Sequence, residues 1–199
     1  MKCTTLVKAL VGICVLSSCT VLPEAKPIDF YVMTPMPVIT TAPVVRSHIR
    51  VATPELGDAL QFERIVRVAN DGSIVAYPDA KWSSSIASMW QNWLLEGLWR
   101  DSRFEQISSA QQGFDSQWLL AGRLQAFHIE ETAQGPMATV RFDAQLINAK
   151  HRRLHVSKSF VQQTPVASST TSAAVQALQV ASGDVGRQLG EPSPGHHEA

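Results

Sequence analysis

The chain has 199 residues, 45% of them apolar, with 17 basic and 17 acidic side chains and a formal net charge of zero. That balance excludes the basic field that nucleic-acid binding requires, so no nucleic-acid partner is expected. The length suits one domain with a sizeable core, with residues left over for a leader and a tether.

Residues 1–18 have the layout of an export signal. Lys2 and Lys8 supply positive charge, and Ala9 to Leu16 is unbroken apolar sequence. That stretch is far shorter than the ~20 residues a helix needs to cross a hydrocarbon core, so a permanent span is not expected. Leu16-Ser17-Ser18-Cys19 follows. An apolar residue, two small residues and a Cys form the cleavage pattern of a bacterial lipoprotein. The small residues let the backbone enter a narrow peptidase site, and the thiolate takes the diacylglycerol. Cleavage is expected between Ser18 and Cys19, with lipid on Cys19 holding the protein to a membrane. Cys3 has no apolar region before it, and Cys14 follows the bulky Ile13. An ordinary secretory site with an incidental cysteine is the weaker alternative. Cleavage removes Lys2, Lys8, Cys3 and Cys14, leaving 15 basic against 17 acidic residues and no free thiol. The fold would then rest on its core without a disulfide. Thr20, rather than Asp, after the acylated Cys points to the outer membrane, facing the periplasm. Inner-membrane anchoring is the alternative.

Residues 19–27 read as the lipidated tether. Ile28 to Thr34 is β-branched and aromatic and predicts a first strand. Prolines 35, 37 and 43 mark a loop or extended edge segment. His48 to Ala52 predicts a second strand, and Pro54 to Leu60 a loop. Arg64 to Ala69 and Ser73 to Tyr77 flank Asn70-Asp71-Gly72, a strong hairpin signal. The clearest helix is Ala80 to Trp99, with Asp79 as N-cap. Trp82, Ile86, Met89, Trp90, Trp93, Leu94 and Leu98 recur there at spacings of three and four and share one face. A core-packing helix is preferred over a lipid-facing aromatic surface, with Trp99 as the residue furthest from the stripe.

Phe104 to Ile107 predicts a short strand, and Gln112-Gly113 a turn. Gln117 to Glu131 alternates through Trp118, Leu120, Gly122, Leu124 and Ala126, then changes parity at Phe127 and Ile129. A bulge near Ala126 accounts for the change. Gln134-Gly135-Pro136 closes a hairpin to Met137 to Asn148, a half-buried strand with one wet face. Leu154 to Gln163 follows a basic turn. Ser168 to Ser172 offers N-caps for a last helix striped by Val175, Leu178, Ala181, Val185 and Leu189, with Gly190 as C-cap. Gly183 and Gly186 weaken that helix, so packing must hold it. Residues 191–199 are expected to be a disordered tail. Together these elements predict one α+β domain over residues 28–190, a mostly antiparallel sheet with two amphipathic helices packed on it.

No pattern for catalysis, a metal or a cofactor emerges. His151 and His155 are four apart, a spacing that on a strand separates them by about 13 Å. With Arg152 and Arg153 they read as a solvated hairpin tip. His196-His197 lies in the tail. Glu130-Glu131 lacks a second acid or base to work against. G-x-S-x-G, Walker A and G-x-G-x-x-G motifs are absent from the sequence.

The order of segments resembles the ABC-type transport auxiliary lipoproteins, which include the paraquat-inducible lipoprotein of the Pqi system. The resemblance rests on the lipobox at Cys19, on Phe30-Tyr31-Val32-Met33 as an early aromatic strand, and on Arg64-Ile65-Val66. Tyr77 and Trp82 resemble the start of a Trp-led amphipathic helix. The strand through Leu120, Leu124 and Phe127, its partner through Phe142 and the terminal helix follow in the same order. Thr53-Pro54-Glu55-Leu56 and Leu60-Gln61-Phe62 keep only the outline of the family's L-P-x-x-L-x-R-x-Q stretch. The resemblance implies a non-enzymatic role beside an MCE-domain protein and an ABC transporter, in lipid movement between membranes and envelope integrity. It also implies assembly into a homo-oligomeric ring. A periplasmic lipid carrier, with an acyl chain in a cavity under the tryptophan helix, is the alternative of a different class.

Overall fold

The computed structural model describes residues 27–37 and 45–190. The expected signal peptide, the expected lipidation site at Cys19, most of the expected tether and the expected tail lie outside them.

The strands, in chain order, are β1 (Asp29–Tyr31), β2 (Val45–Val51), β3 (Glu55–Leu56), β4 (Arg64–Val68) and β5 (Ile74–Trp82). After helix α1 (Ile86–Arg100) come β6 (Phe104–Ser109), β7 (Trp118–Thr132), β8 (Gly135–Asn148) and β9 (Arg153–Pro165). Helix α2 (Thr171–Gly190) ends the described chain. The nine strands among the described residues join one sheet built around β7. One edge of β7 pairs along its whole length with β8, which pairs in turn with β9. The other edge is shared end to end by β2, β3 and β4. β6 extends the sheet beyond β2, and β5 and β1 extend it beyond β4.

The sheet is therefore mixed and not mostly antiparallel. The pairings β1–β5, β2–β6, β2–β7, β3–β7 and β4–β7 are parallel. Only β4–β5, β7–β8 and β8–β9 are antiparallel. Antiparallel neighbours joined by tight turns leave a local signal in sequence. Parallel neighbours are joined by long crossovers and leave none. The turn at Asp71-Gly72 forms as its residues dictate: Gly72 has φ +80° and Asp71 Oδ1 accepts from Ser73 N at 2.9 Å. The expected bulge is present too, as the β7–β8 register shifts between Leu124 and Ala126.

The tryptophan helix starts later than its periodicity predicts. Residues 80–82 belong to β5, where Ala80 and Trp82 face the core and Lys81 between them does not. Period two overlaps period 3.6 over so short a run. Trp82 N donates to Glu63 O and β1 pairs alongside, which holds this stretch extended. Pro78 sits within the β4–β5 register shift, where a missing N–H costs no ladder bond. Ser85 caps α1 instead of Asp79, accepting from Ser88 N at 3.3 Å. Asp79 accepts from the Thr171 hydroxyl at the start of α2.

Both helices pack on one face of the sheet. Ala138, Val140, Phe142 and Ala144 of β8 point into that layer and are buried. The opposite face is polar. Glu130 there accepts from the Thr139 hydroxyl at 2.9 Å, and Arg141 pairs with Asp143 at 3.1 Å. Met36 is wedged between the helices: a Cβ on Gly97 or on Gly186 would lie 2.4 or 2.8 Å from its side chain. Gly186, one of the glycines that weaken α2 as an isolated helix, thus helps Gly97 of α1 admit a methionine into the core, while Gly183 faces Pro37.

Candidate functional site

Glu130 and Glu131 do not act together. Glu130 binds Thr139, and Glu131 pairs with Arg67 at 3.2 Å. His151, Arg152 and Arg153 are exposed at the β8–β9 hairpin, with Arg152 at φ +53°. His155 packs its ring 4.9 Å from that of Trp118, a contact with no local sequence signal. Among the described residues, no group of three or more His, Cys, Asp or Glu is placed to hold a metal ion.

Trp82, Trp90 and Trp93 are buried, as the core-packing reading requires. Trp90 packs against Trp93, Phe127 and Phe142 with ring centroids 4.8, 6.0 and 5.5 Å away. Trp93 Nε1 donates to Thr34 O at 2.9 Å. Trp99 is the exception, 63% exposed, its Nε1 bonded to Ile107 O.

A concave feature lined mainly by apolar side chains lies at the other end of the same layer, where both helices end. A cavity of about 250 Å³ opens there between helices and sheet. Leu94 and Leu98 of α1 and Leu189 of α2 form its roof. Leu120, Ala144, Leu146 and Phe160 form its floor. The small inward side chain of Ala144 on β8 leaves the space open. Gly122, opposite Ala144, lies beneath the Phe142 ring, 2.8 Å from where its Cβ would be. Each residue belongs to an alternating row along its strand, but such a row does not report depth.

Two basic residues line the cavity. Arg103 is already committed. It forms a buried pair with Asp101, with Nε 2.8 Å from Oδ1, and caps α2 through Nη1 to Gly190 O at 2.7 Å. Burial alone would raise the Asp101 carboxyl, but the hydrogen bonds and charge of Arg103 outweigh it and hold the carboxyl below its ordinary range. Lys158 is different. Its ammonium sits 4.8 Å from the Phe160 ring centroid. No carboxylate among the described residues is within ion-pair distance of it. The cavity is thus mainly hydrocarbon, with the Gln188 amide, the Asp101–Arg103 pair and one cation, Lys158, that has no carboxylate partner among the described residues.

Residues 31–190 match the family described as ABC-type transport auxiliary lipoprotein component. The chain belongs to that family. The match begins at Tyr31, the last residue of β1, and covers the other eight strands and both helices. Among solved structures, the chain is similar to protein XCC0632 from Xanthomonas campestris, of family DUF330. Identity is 22%, coverage 81% of this chain and 92% of that one, and the TM-score 0.73. A second, uncharacterized protein matches at 15% identity and TM-score 0.64, covering 83% of this chain and 97% of its own. Both likenesses concern the fold. No curated protein matches the sequence. As an auxiliary lipoprotein of ABC-type transport, the protein belongs with membrane-anchored components of the cell envelope.

Proposed function

We propose that this auxiliary lipoprotein serves an ABC system that moves lipid between the inner and outer membranes, docking an MCE-domain protein while anchored through Cys19. The family match over residues 31–190 carries the reading. In this reading the protein is not an enzyme. The lipid keeps the domain at the outer membrane and raises its effective concentration near the partner. Strand β9 supports the docking role. It is 13 residues long, has a strand neighbour on one side only among the described residues, and leaves Leu154 and Val161 half exposed. An open edge of that kind accepts a further strand from a partner, or from a second copy in a homo-oligomeric ring.

Cys19→Ala tests the reading. The variant is expected in the soluble periplasmic fraction, with lipid transport impaired. Normal fractionation with the membrane overturns the anchoring role, and full transport by a released protein overturns the need for it. Density-gradient separation of the wild type tests the outer-membrane assignment.

A further inference from the structure

We propose that the cavity at the helix ends binds a single alkyl chain carrying an anionic head, with Lys158 holding the head. The ligand class deepens the lipid-transport reading, but the binding itself stands on the cavity.

Three observations select this occupant. The first is size. Small-molecule sites run to about 300–1,000 Å³, and this cavity of about 250 Å³ is just below that range, so part of one chain fits and the body of a two-chain lipid does not. The second is lining. Leu94, Leu98, Leu120, Ala144 and Leu146 offer hydrocarbon without a directional polar group, which suits a methylene chain and little else. The third is charge. Asp101 is cancelled by Arg103, and Arg103 is spent on Asp101 and Gly190. Lys158 alone is free to meet an anion. A cation on a long stem beside the cavity lets the chain enter while the head stays near water.

The tryptophans have no part in this site. They fill the neighbouring core, so the helix contributes only its last turns. A fatty acid and one chain of an anionic phospholipid share the required chemistry.

The mature acylated protein in phosphatidylcholine vesicles provides the test. Three photoactivatable probes of equal chain length are added in turn: a fatty acid, a phosphatidylglycerol with one labelled chain, and a fatty alcohol. Cross-linked peptides are identified by mass spectrometry. Label from the acid or the phosphatidylglycerol should fall on peptides holding Leu94–Leu98 and Ala144–Leu146, and which of the two labels better identifies the source. Ala144→Phe fills the floor and should cut labelling at least tenfold. Should that variant fail to fold, Val156→Glu, on the half-exposed rim, should do the same. Lys158→Glu should cut labelling by the anionic probes and leave the alcohol unchanged. Labels mapping elsewhere, or labelling that survives a folded Ala144→Phe or Val156→Glu, overturn the proposal. Equal loss of acid and alcohol in Lys158→Glu overturns the role of the lysine. Transport failure in Cys19→Ala leaves these outcomes untouched, so the two readings fail separately.

Discussion

The layer between helices and sheet is filled at one end and hollow at the other. At the filled end Trp82, Trp90, Trp93, Phe127 and Phe142 meet ring to ring, and none of the five is more than 4% exposed. At the hollow end the same β8 row continues with Ala144 and the same helix with Leu98, and a cavity opens. The backbone architecture is common to both ends. The filled end carries stability, and the hollow end, where both helices terminate, has room for a ligand. Met36, between Gly97 and Gly186 and on the cavity wall, marks the boundary.

Volume changes should therefore have opposite consequences at the two ends. Trp90→Ala empties the filled end and should cost about 3–5 kcal/mol, the usual loss for a large aromatic in a packed core, measured by urea unfolding. A cost near 1 kcal/mol would mean that this end is as loose as the other. Gly122→Ala places a methyl against the Asp143 carbonyl and the Phe142 ring, 2.5 and 2.8 Å away. Main chain cannot yield as a side chain can, so a loss of about 1–3 kcal/mol is expected. Ala144→Leu adds more atoms only one strand away, but into open space. Its unfolding free energy should stay within about 0.5 kcal/mol of the wild type or rise. A loss as large as that of Gly122→Ala would show that the hollow end is not hollow in solution.

Features written in neighbouring residues were legible. Asp71-Gly72 made its turn, the parity change at Phe127 marked the bulge, and the 3.6-residue stripe from Ile86 onward buried itself. Trp99 stood apart from that stripe and is exposed. Features that depend on distant partners were not. Nothing in Glu55-Leu56 shows that it pairs with Arg123-Leu124. The parallel order around β7 followed from none of the turns. The spacing of Trp82 suits both periods, and its actual partners lie in β1 and near Glu63. The cavity escaped for a related reason. Ala144 reads as a small member of an apolar row, and only the assembled layer shows that nothing opposite fills the gap. The Asp101–Arg103 pair lies two residues apart in sequence, yet its second duty, capping a helix 87 positions away, is a property of the fold.

The sharing of one β7 edge by β2, β3 and β4 sets an order of events during biogenesis. Synthesis proceeds from the N-terminus, so these three strands emerge well before the strand that completes them. Their ladders to β7 must wait for the β7–β8–β9 hairpins, whose contacts are local and close quickly. Residues 118–165 are thus the scaffold, and residues 45–68 are guest material with edges left bare toward β7 in the meantime. Pulse-labelled hydrogen exchange should find amides of Leu119 to Ile129 facing β8 protected ahead of those in β2 and β4, and a nascent chain ending before Trp118 should depend on a holding chaperone.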